Sequence, residues 1–485
     1  MRRGARQDGC MSSSTSLLWF RRDLRLSDLP SLLAAADAAD RVLACFVLDP
    51  WLVKTAGDRR LKFLYDSLRG LDEKLDGRLL VVRGKPENQI PKIAKAIDAN
   101  SVHISADHAP YGVARDARVE EALSGIKGGD IELHSTGSSF AVTPGRVTKN
   151  DGEPYKVFTP YFRAWREHGW HSPARSGAKS ADWIDPKDVV GTGSSDVHAV
   201  DIPDVDVELS IPAGEDAAQK RWKQFRQGAG DYSQHSVEDY DDARDRPDLD
   251  ASSRMSAYLK FGNIHPRTML ADLTELEKDS DHKDGATAYL RELCFRDFYA
   301  SVLREWPHSA WHNWNRSFDA IEVDEDKAAH EAFDAWKAGK TGFPIVDAGM
   351  RQLSGSGFMH NRVRMIVASF LVKDLHVPWQ WGARWFLDQL IDGDLASNQH
   401  GWQWTAGCGT DASPYFRVFN PTTQGLKFDP SGDYVRRWVP ELADVEGKAV
   451  HELKDGRPSD YPEPMVDHKA EREEALRRYG QVSGK

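Results

Sequence analysis

From Leu17 onward the chain alternates short, continuous apolar runs with longer amphipathic ones. The apolar runs predict strands at Leu17–Phe20, Val42–Leu48, Leu79–Val82, Val102–Ser105 and Ile131–His134. Between them, amphipathic periodicity predicts helices at Pro30–Ala39, Arg59–Leu75, Pro86–Ala99 and Arg115–Leu123. Strand and helix in this alternation imply a five-stranded parallel sheet, Rossmann-like, with right-handed crossovers. No GxGxxG follows the first strand, so a ligand is expected only at the carboxyl ends of the strands. Between about Val147 and Pro212 the periodicity dissolves into Gly, Ser, Asp and Pro, as in a connection that wraps one domain against another.

From Ala213 helical periodicity takes over and strand signals vanish. The candidates are Ala217–Gly228, Pro266–Leu276, Ala286–Glu305, Ala328–Lys337, Ile345–Leu353, Arg362–Leu375, Pro378–Leu390 and Lys469–Tyr479. The expected organisation is an extension at 1–15, an α/β domain at 16–146, a linker at 147–212 and an all-α domain at 213–480. A length of 485 residues also favours two domains.

Composition narrows the chemistry. Sixteen tryptophans imply large buried aromatic surfaces, suited to an aromatic cofactor. A net charge of −11 argues against a coat of nonspecific nucleic-acid affinity. Yet Ala348 to Lys373 carries Arg351, Arg362, Arg364 and Lys373 with no acidic residue, a basic island in an acidic chain. Cys10, Cys45, Cys294 and Cys408 show neither CxxC spacing nor a disulfide framework, pointing to a reducing compartment and no structural zinc. The polar opening MRRGARQDGCMSSST reads as a disordered extension, with Met11 as a second candidate start. No apolar run approaches the roughly 20 residues of a membrane span. A cytoplasmic protein without a membrane anchor is expected.

One stretch, LIDGDLASNQHGWQWTAGCGTDASPYFRVFNPTTQGLKF from Leu390 to Phe428, is too polar for an ordinary core helix. It gathers Asp392, Gly393, Asp394, Asn398, Trp402 and Trp404. Glycines admit a flat ligand, carboxylates accept from its N–H and O–H groups, and indoles stack or relay electrons. From these residues alone, a glycine-rich connection between helices with core tryptophans stays equally open. The pair Asp392 and Asp394 also suits a metal, but no further ligands stand at supportive spacing.

That stretch, the run GKTGFPIVDAGMRQLSGSGFMHNRVRMIVASFLVKDL from Gly339 to Leu375, and the opening LLWFRRDLRLSD from Leu17 to Asp28 resemble the photolyase/cryptochrome family, over nearly the whole chain. The resemblance implies an FAD site in the helical domain. Ser252, Ser253, Arg254, Met255 and Ser256 match the loop that holds the flavin dinucleotide's phosphates, although alone they would read as a helix cap. Tyr240 matches a tyrosine that also meets the cofactor, with Tyr232 a competing candidate. Asp392 and Asp394 would bond the isoalloxazine and ribityl groups, Arg364 would pair with the first aspartate and favour an anionic reduced flavin, and Asn398 would face N5.

On the substrate side the resemblance implies Glu292, Phe295, Arg296, Asn361, Arg362, Met365 and Trp404, holding pyrimidines flipped out of UV-damaged DNA. Met365, in HNRVRM, resembles repair enzymes for cyclobutane dimers rather than for 6-4 photoproducts. Trp402 and Trp379 match the inner two members of an electron relay, whereas the outer position reads Asp326. Phe295 and Phe358 stand where tryptophan is usual. The loops at Leu48–Asp49–Pro50 and Pro110–Tyr111–Gly112, before Arg115 and Asp116, resemble members with an 8-hydroxy-5-deazaflavin antenna more than those with methenyltetrahydrofolate. The implied activity is light-driven repair of cyclobutane pyrimidine dimers by a monomeric lyase. The alternative is a cryptochrome-like photoreceptor that binds FAD without repairing DNA.

Overall fold

The computed structural model describes residues 13–126, 131–191, 196–232, 234–414, 416–454 and 456–482. Most of the extension predicted at 1–15, with Cys10 and Met11, lies outside them. Five strands, β1 (Thr15–Phe20), β2 (Arg41–Leu48), β3 (Leu79–Arg83), β4 (Ala99–Ala106) and β5 (Glu132–Ser138), form one sheet in the order β3-β2-β1-β4-β5. Every neighbouring pair is parallel. Among them run α1 (Pro30–Ala38), α2 (Pro50–Lys54), α3 (Asp58–Lys74), α4 (Pro86–Ala96) and α5 (Pro110–Ser124). Four of these five helices begin with proline, whose fixed φ and missing N–H suit the first helical turn.

The strands read as continuous apolar runs because both faces of the sheet are covered. Alternate residues then serve different cores. Leu17, Trp19, Leu43, Cys45, Leu80 and Val82 pack with Ile90, Ile93, Val119 and Leu123 of α4 and α5. Leu18, Phe20, Val42, Ala44, Phe46 and Val81 face the other way, against α1 and α3. That second cluster does not stop at the sheet: it continues without a break through Tyr258, Leu270, Leu290 and Phe298 of the helical region.

The stretch after β5 carries α6 (Phe158–His168) and otherwise follows the α/β unit, with single bridges from Trp183 to Val42 and from Ala199 to Val82. The helical region comprises α7 (Glu215–Gln227), α8 (Tyr240–Ala243), α9 (Ser256–Phe261), α10 (Pro266–Leu276), α11 (Lys283–Glu305), α12 (Lys327–Lys337) and α13 (Pro344–Ser356). It continues with α14 (Asn361–Lys373), α15 (Trp379–Gln389), α16 (Leu395–Ala406), α17 (Pro421–Phe428), α18 (Asp433–Trp438), α19 (Ala449–Glu452) and α20 (His468–Val482).

Helix α16 corrects the reading of Leu390–Phe428 as too polar for a core helix. Its Gln399, His400, Trp402 and Gln403 are all buried. The amides are satisfied from outside the helix: Gln399 donates to Ala310 O, Gln403 donates to Ser309 O at 2.8 Å, and Gln403 Oε1 accepts from Trp314 N at 2.7 Å. A helix wrapped by protein needs no apolar stripe where its amides find partners; buried His400 makes no hydrogen bond among the described residues and instead stacks on Tyr299.

Among the described residues, no helix is long and apolar enough to cross a membrane, and no three His, Cys, Asp or Glu side chains stand close enough to hold a metal. Cys45, Cys294 and Cys408 are buried free thiols.

Candidate cofactor and substrate site

The turn between α15 and α16 presents both aspartates. Asp394 caps α16, accepting from Ser397 N at 3.1 Å, and its other oxygen meets Arg22 of the β1–α1 loop at 2.6 Å. Burial alone would push this carboxyl up, but Arg22, Lys260, Arg296 and the Ser397 N–H together hold it well below the usual carboxylate range. Asp392 pairs with Arg364 of α14 at 3.0 Å, and Arg364 Nε is fixed by Met359 O at 2.8 Å. Gly393 lies between the two carboxylates because Arg60 passes there: a Cβ would stand 2.3 Å from Arg60 Nη1. One turn into α16, Asn398 donates to Ala383 O at 3.0 Å and Gln399 Oε1 at 2.8 Å.

The loop Ser252–Met255 approaches the same place. Arg254 adopts a left-handed conformation (φ 53°), bonds Asp250 at 2.8 Å and sets its guanidinium 5.1 Å from the Phe358 ring. The Arg364 guanidinium lies 5.9 Å from that same ring. Phe358 therefore joins the phosphate-loop candidate to the Arg364–Asp392 pair. Ser253 Oγ and Tyr289 OH are 2.7 Å apart, and the Tyr240 ring packs 5.0 Å from Tyr289. Tyr232, the competing tyrosine, donates to Ser253 O at 2.8 Å and is fully buried. Tyr232 thus braces the loop from behind. Ser256 opens α9 as an exposed residue.

The donor set fits a flavin dinucleotide. Acceptors for ring N–H and ribityl O–H groups stand on one side, and hydroxyls with cations on the other. Arg254 Nε is buried without a protein partner, a donor left over for an anion.

Beside this site, two consecutive residues after α8 engage two of the predicted substrate side chains. Arg244 meets Glu292 of α11 at 2.6 Å, and Asp245 meets Arg362 of α14 at 2.8 Å. Burial pushes the Glu292 carboxyl up from its ordinary value, against the pull of Arg244. Arg362, Met365, Trp404 and Asp245 line an open cavity of about 550 Å³, together with Arg417, Lys427 and Phe428. These last three were missed among the sequence candidates, although the basic and aromatic interleaving of RVFNPTTQGLKF is the signal that holds them. Asn361 is exposed at the first turn of α14.

Two further predicted substrate residues, like Glu292 and Asn361, are not on that cavity's lining. Arg296 donates to Ser139 O and Leu259 O at 2.7 and 3.1 Å and lies 4.4 Å from the Phe140 ring, tying α11 to the chain just after β5. Two backbone carbonyls and an aromatic face hold that guanidinium, so it is withdrawn from the cavity. Phe295 is face-stacked on Phe158 of α6, with centroids 3.4 Å apart.

Known proteins resemble this chain along nearly its whole length. The family described as FAD binding domain of DNA photolyase matches residues 289–481, and that described as DNA photolyase matches 16–178. The deoxyribodipyrimidine photo-lyase of Streptomyces griseus is 40% identical over 471 residues, 94% of this chain and 96% of that protein. This chain belongs to the DNA photolyase family. The enzyme of the same name from Halobacterium salinarum is 37% identical over 96% of this chain and 99% of its own. The crystal structure of a class III photolyase from Agrobacterium tumefaciens superposes with a TM-score of 0.85 at 33% identity, covering 99% of this chain and 100% of that one.

In this photolyase-family chain two sets of side chains surround the matched tryptophans. Trp402 is buried against Phe386 (5.0 Å) and Trp336 (6.2 Å). Trp379 opens α15, donates to Asn313 at 2.8 Å and lines a second cavity of about 360 Å³ together with Trp381. Asn313 thus brings the loop of Trp311 and Trp314 up to Trp379, a proximity the sequence did not reveal. Asp326, at the aberrant outer position, caps α12 by accepting from Ala329 N at 2.9 Å. A second aromatic line runs from Trp402 through Trp336 and Phe333 (5.7 Å) to Trp381 (5.4 Å), whose ring stacks on His330 at 4.3 Å. The three-residue spacing of His330, Phe333 and Trp336 on α12 was its only trace in the sequence.

Proposed function

We propose that this chain is a deoxyribodipyrimidine photo-lyase that repairs cyclobutane pyrimidine dimers in UV-damaged DNA, with FAD as its working cofactor. The observation that carries the reading is the adjacency of two sites. Asp392, Arg364 and Arg254 gather around Phe358, and a cavity with basic and aromatic walls opens at Arg362, on the same helix as Arg364. FAD supplies, in its reduced anionic form, the light-driven electron that opens the dimer's cyclobutane ring and then returns, with no net redox change.

The protein's own part is binding, orientation and electrostatics. Ser252, Ser253, Arg254, Met255 and Ser256 hold the phosphates, with Tyr240 against the cofactor. Asp392, Gly393 and Asp394 fix the ring and ribityl end, and Arg364 keeps a positive charge beside it. Asn398 faces the ring's redox-active nitrogen with its amide oxygen, both of its N–H groups being held by Ala383 O and Gln399 Oε1. Glu292 bonds the flipped-out bases, Asn361 and Arg362 hold the strand, and Met365 and Trp404 flank the dimer. Trp402 and Trp379 carry electrons inward from solvent.

Residues 16–146 form the antenna-binding unit, with 8-hydroxy-5-deazaflavin favoured over methenyltetrahydrofolate. Residues 147–212 connect it to the catalytic unit at 213–480. The enzyme works as a monomer in the cytoplasm.

Illumination of the reduced protein with dimer-containing single-stranded and duplex DNA should remove the dimers. Glu292→Ala should lower repair per absorbed photon at least tenfold while FAD stays bound. Undiminished repair in that variant removes Glu292 from the site, and no repair by the unmutated protein favours a photoreceptor.

A further inference from the structure

The cavity at the α14 end of the site is lined by three cationic side chains. Arg362, Arg417 and Lys427 contribute to its walls, and the latter two form no ion pair among the described residues. Among the described residues the only acidic side chain on its lining is Asp245, and that carboxylate is bonded to Arg362 at 2.8 Å. The pair is held open to solvent, with side-chain exposures of 20% for Arg362 and 38% for Asp245. Arg362 Nε is buried without a partner, so the guanidinium is only partly satisfied by this contact. The aliphatic and planar part of Arg362 rests on Phe428, with the guanidinium carbon 4.4 Å from the ring. The cation is thus positioned by aromatic packing, whether or not Asp245 is bonded to it.

We propose that Asp245 is an internal stand-in for a DNA phosphate: its carboxylate occupies Arg362 in the free protein and must be displaced for the strand to bind. The inference rests on the reading of this cavity as the DNA site. A carboxylate and a phosphate both offer anionic acceptor oxygens to a guanidinium N–H, so a phosphate oxygen can take the place of the one Asp245 oxygen that Arg362 now holds. Part of each binding event is then spent on breaking the existing pair, which lowers affinity for any strand that reaches Arg362, damaged or not. Because the cost falls on both, Asp245 sets how tightly DNA is held and leaves the preference for damage to the deeper contacts.

The test is fluorescence anisotropy of labelled oligonucleotides, plain and dimer-containing, with the FAD-loaded protein at fixed salt. Asp245→Asn should tighten both by about 3- to 10-fold, the range for releasing a partly exposed charge pair. The ratio between the two affinities should stay unchanged. Asp242→Asn, an equal charge change at an exposed position of α8, controls for general electrostatics and should give less than twofold. In the background of Arg362→Gln, the gain from Asp245→Asn should disappear. The proposal is overturned if Asp245→Asn leaves affinity unchanged, if Asp242→Asn matches it, or if the gain survives without Arg362. The plain oligonucleotide makes this independent of repair: absence of dimer removal with the coupling intact defeats the functional reading and leaves the role of Asp245 standing.

Discussion

At the scale of single residues, the carboxylate of Asp392 and the guanidinium of Arg364 make the sharpest prediction. A charge-assisted hydrogen bond is worth about 1.5–3 kcal/mol. Asp392→Ala should therefore weaken FAD retention roughly 10- to 100-fold, read as the flavin-to-protein absorbance ratio after dialysis. Trp402→Phe should slow the bleaching of bound flavin under blue light with a thiol donor by more than tenfold, and Trp381→Phe distinguishes the routes. If the line through Trp336 and Phe333 contributes, that variant slows bleaching severalfold; if Trp379 carries all the current, the rate is unchanged. Residue identities were the most legible level of the sequence. Asp392, Asp394, Ser253 and Arg364 stand in dense motifs, and the structure pairs Arg364 with Asp392. Arg296 and Phe295 were less legible because a motif fixes which residue is present, whereas the rotamer is decided by neighbours from distant segments, here Ser139, Leu259 and Phe158.

At the scale of elements, helices with one apolar stripe could be read from periodicity, and those without it could not. Helix α12 was found to within a residue at Lys327–Lys337, whereas α16, which holds Asn398 and Trp402, was hidden because its buried glutamines answer to backbone groups of the loop at 309–314. Short α17 and α18 fell below the length at which a 3.6-residue period can be distinguished. The contact between α15 and α16 is unusually close at Gly382, where a Cβ would stand 2.1 Å from Trp402 Cη2 and 2.6 Å from Leu371 Cδ2. Gly382→Ala should destabilise the protein by about 1–3 kcal/mol through overpacking. It should also displace the Trp402 ring. Urea unfolding reads the first effect and near-ultraviolet circular dichroism the second.

At the scale of the whole molecule, the sheet could be anticipated as parallel, but its strand order and the join between the two units could not. That join carries a titratable group. Lys260 of α9 lies beside Arg22 and Asp394, and burial followed by the Arg22 charge pushes its ammonium down to about 7 from 10.5. The unfolded chain keeps that proton up to the higher value, so between the two the unfolded state binds more protons and stability rises with pH. For one such group the slope is at most about 1.4 kcal/mol per pH unit, reduced here by the side chain's residual solvent contact. The urea midpoint of the apoprotein should therefore climb from pH 7 to 9 relative to that of Lys260→Met, and parallel curves would remove Lys260 from this account.

The apolar cluster that runs from Leu18 and Phe46 of the sheet into Tyr258 and Phe298 of the helical region has a consequence for dissection. Its two halves are each other's solvent shield. A fragment ending near residue 212 would carry a raw greasy face and should precipitate or bind dye on expression, while co-expressed halves should find one another and restore a soluble complex. Proteolytic nicking between them should likewise leave the pieces associated, because what holds them is shared interior rather than the tether.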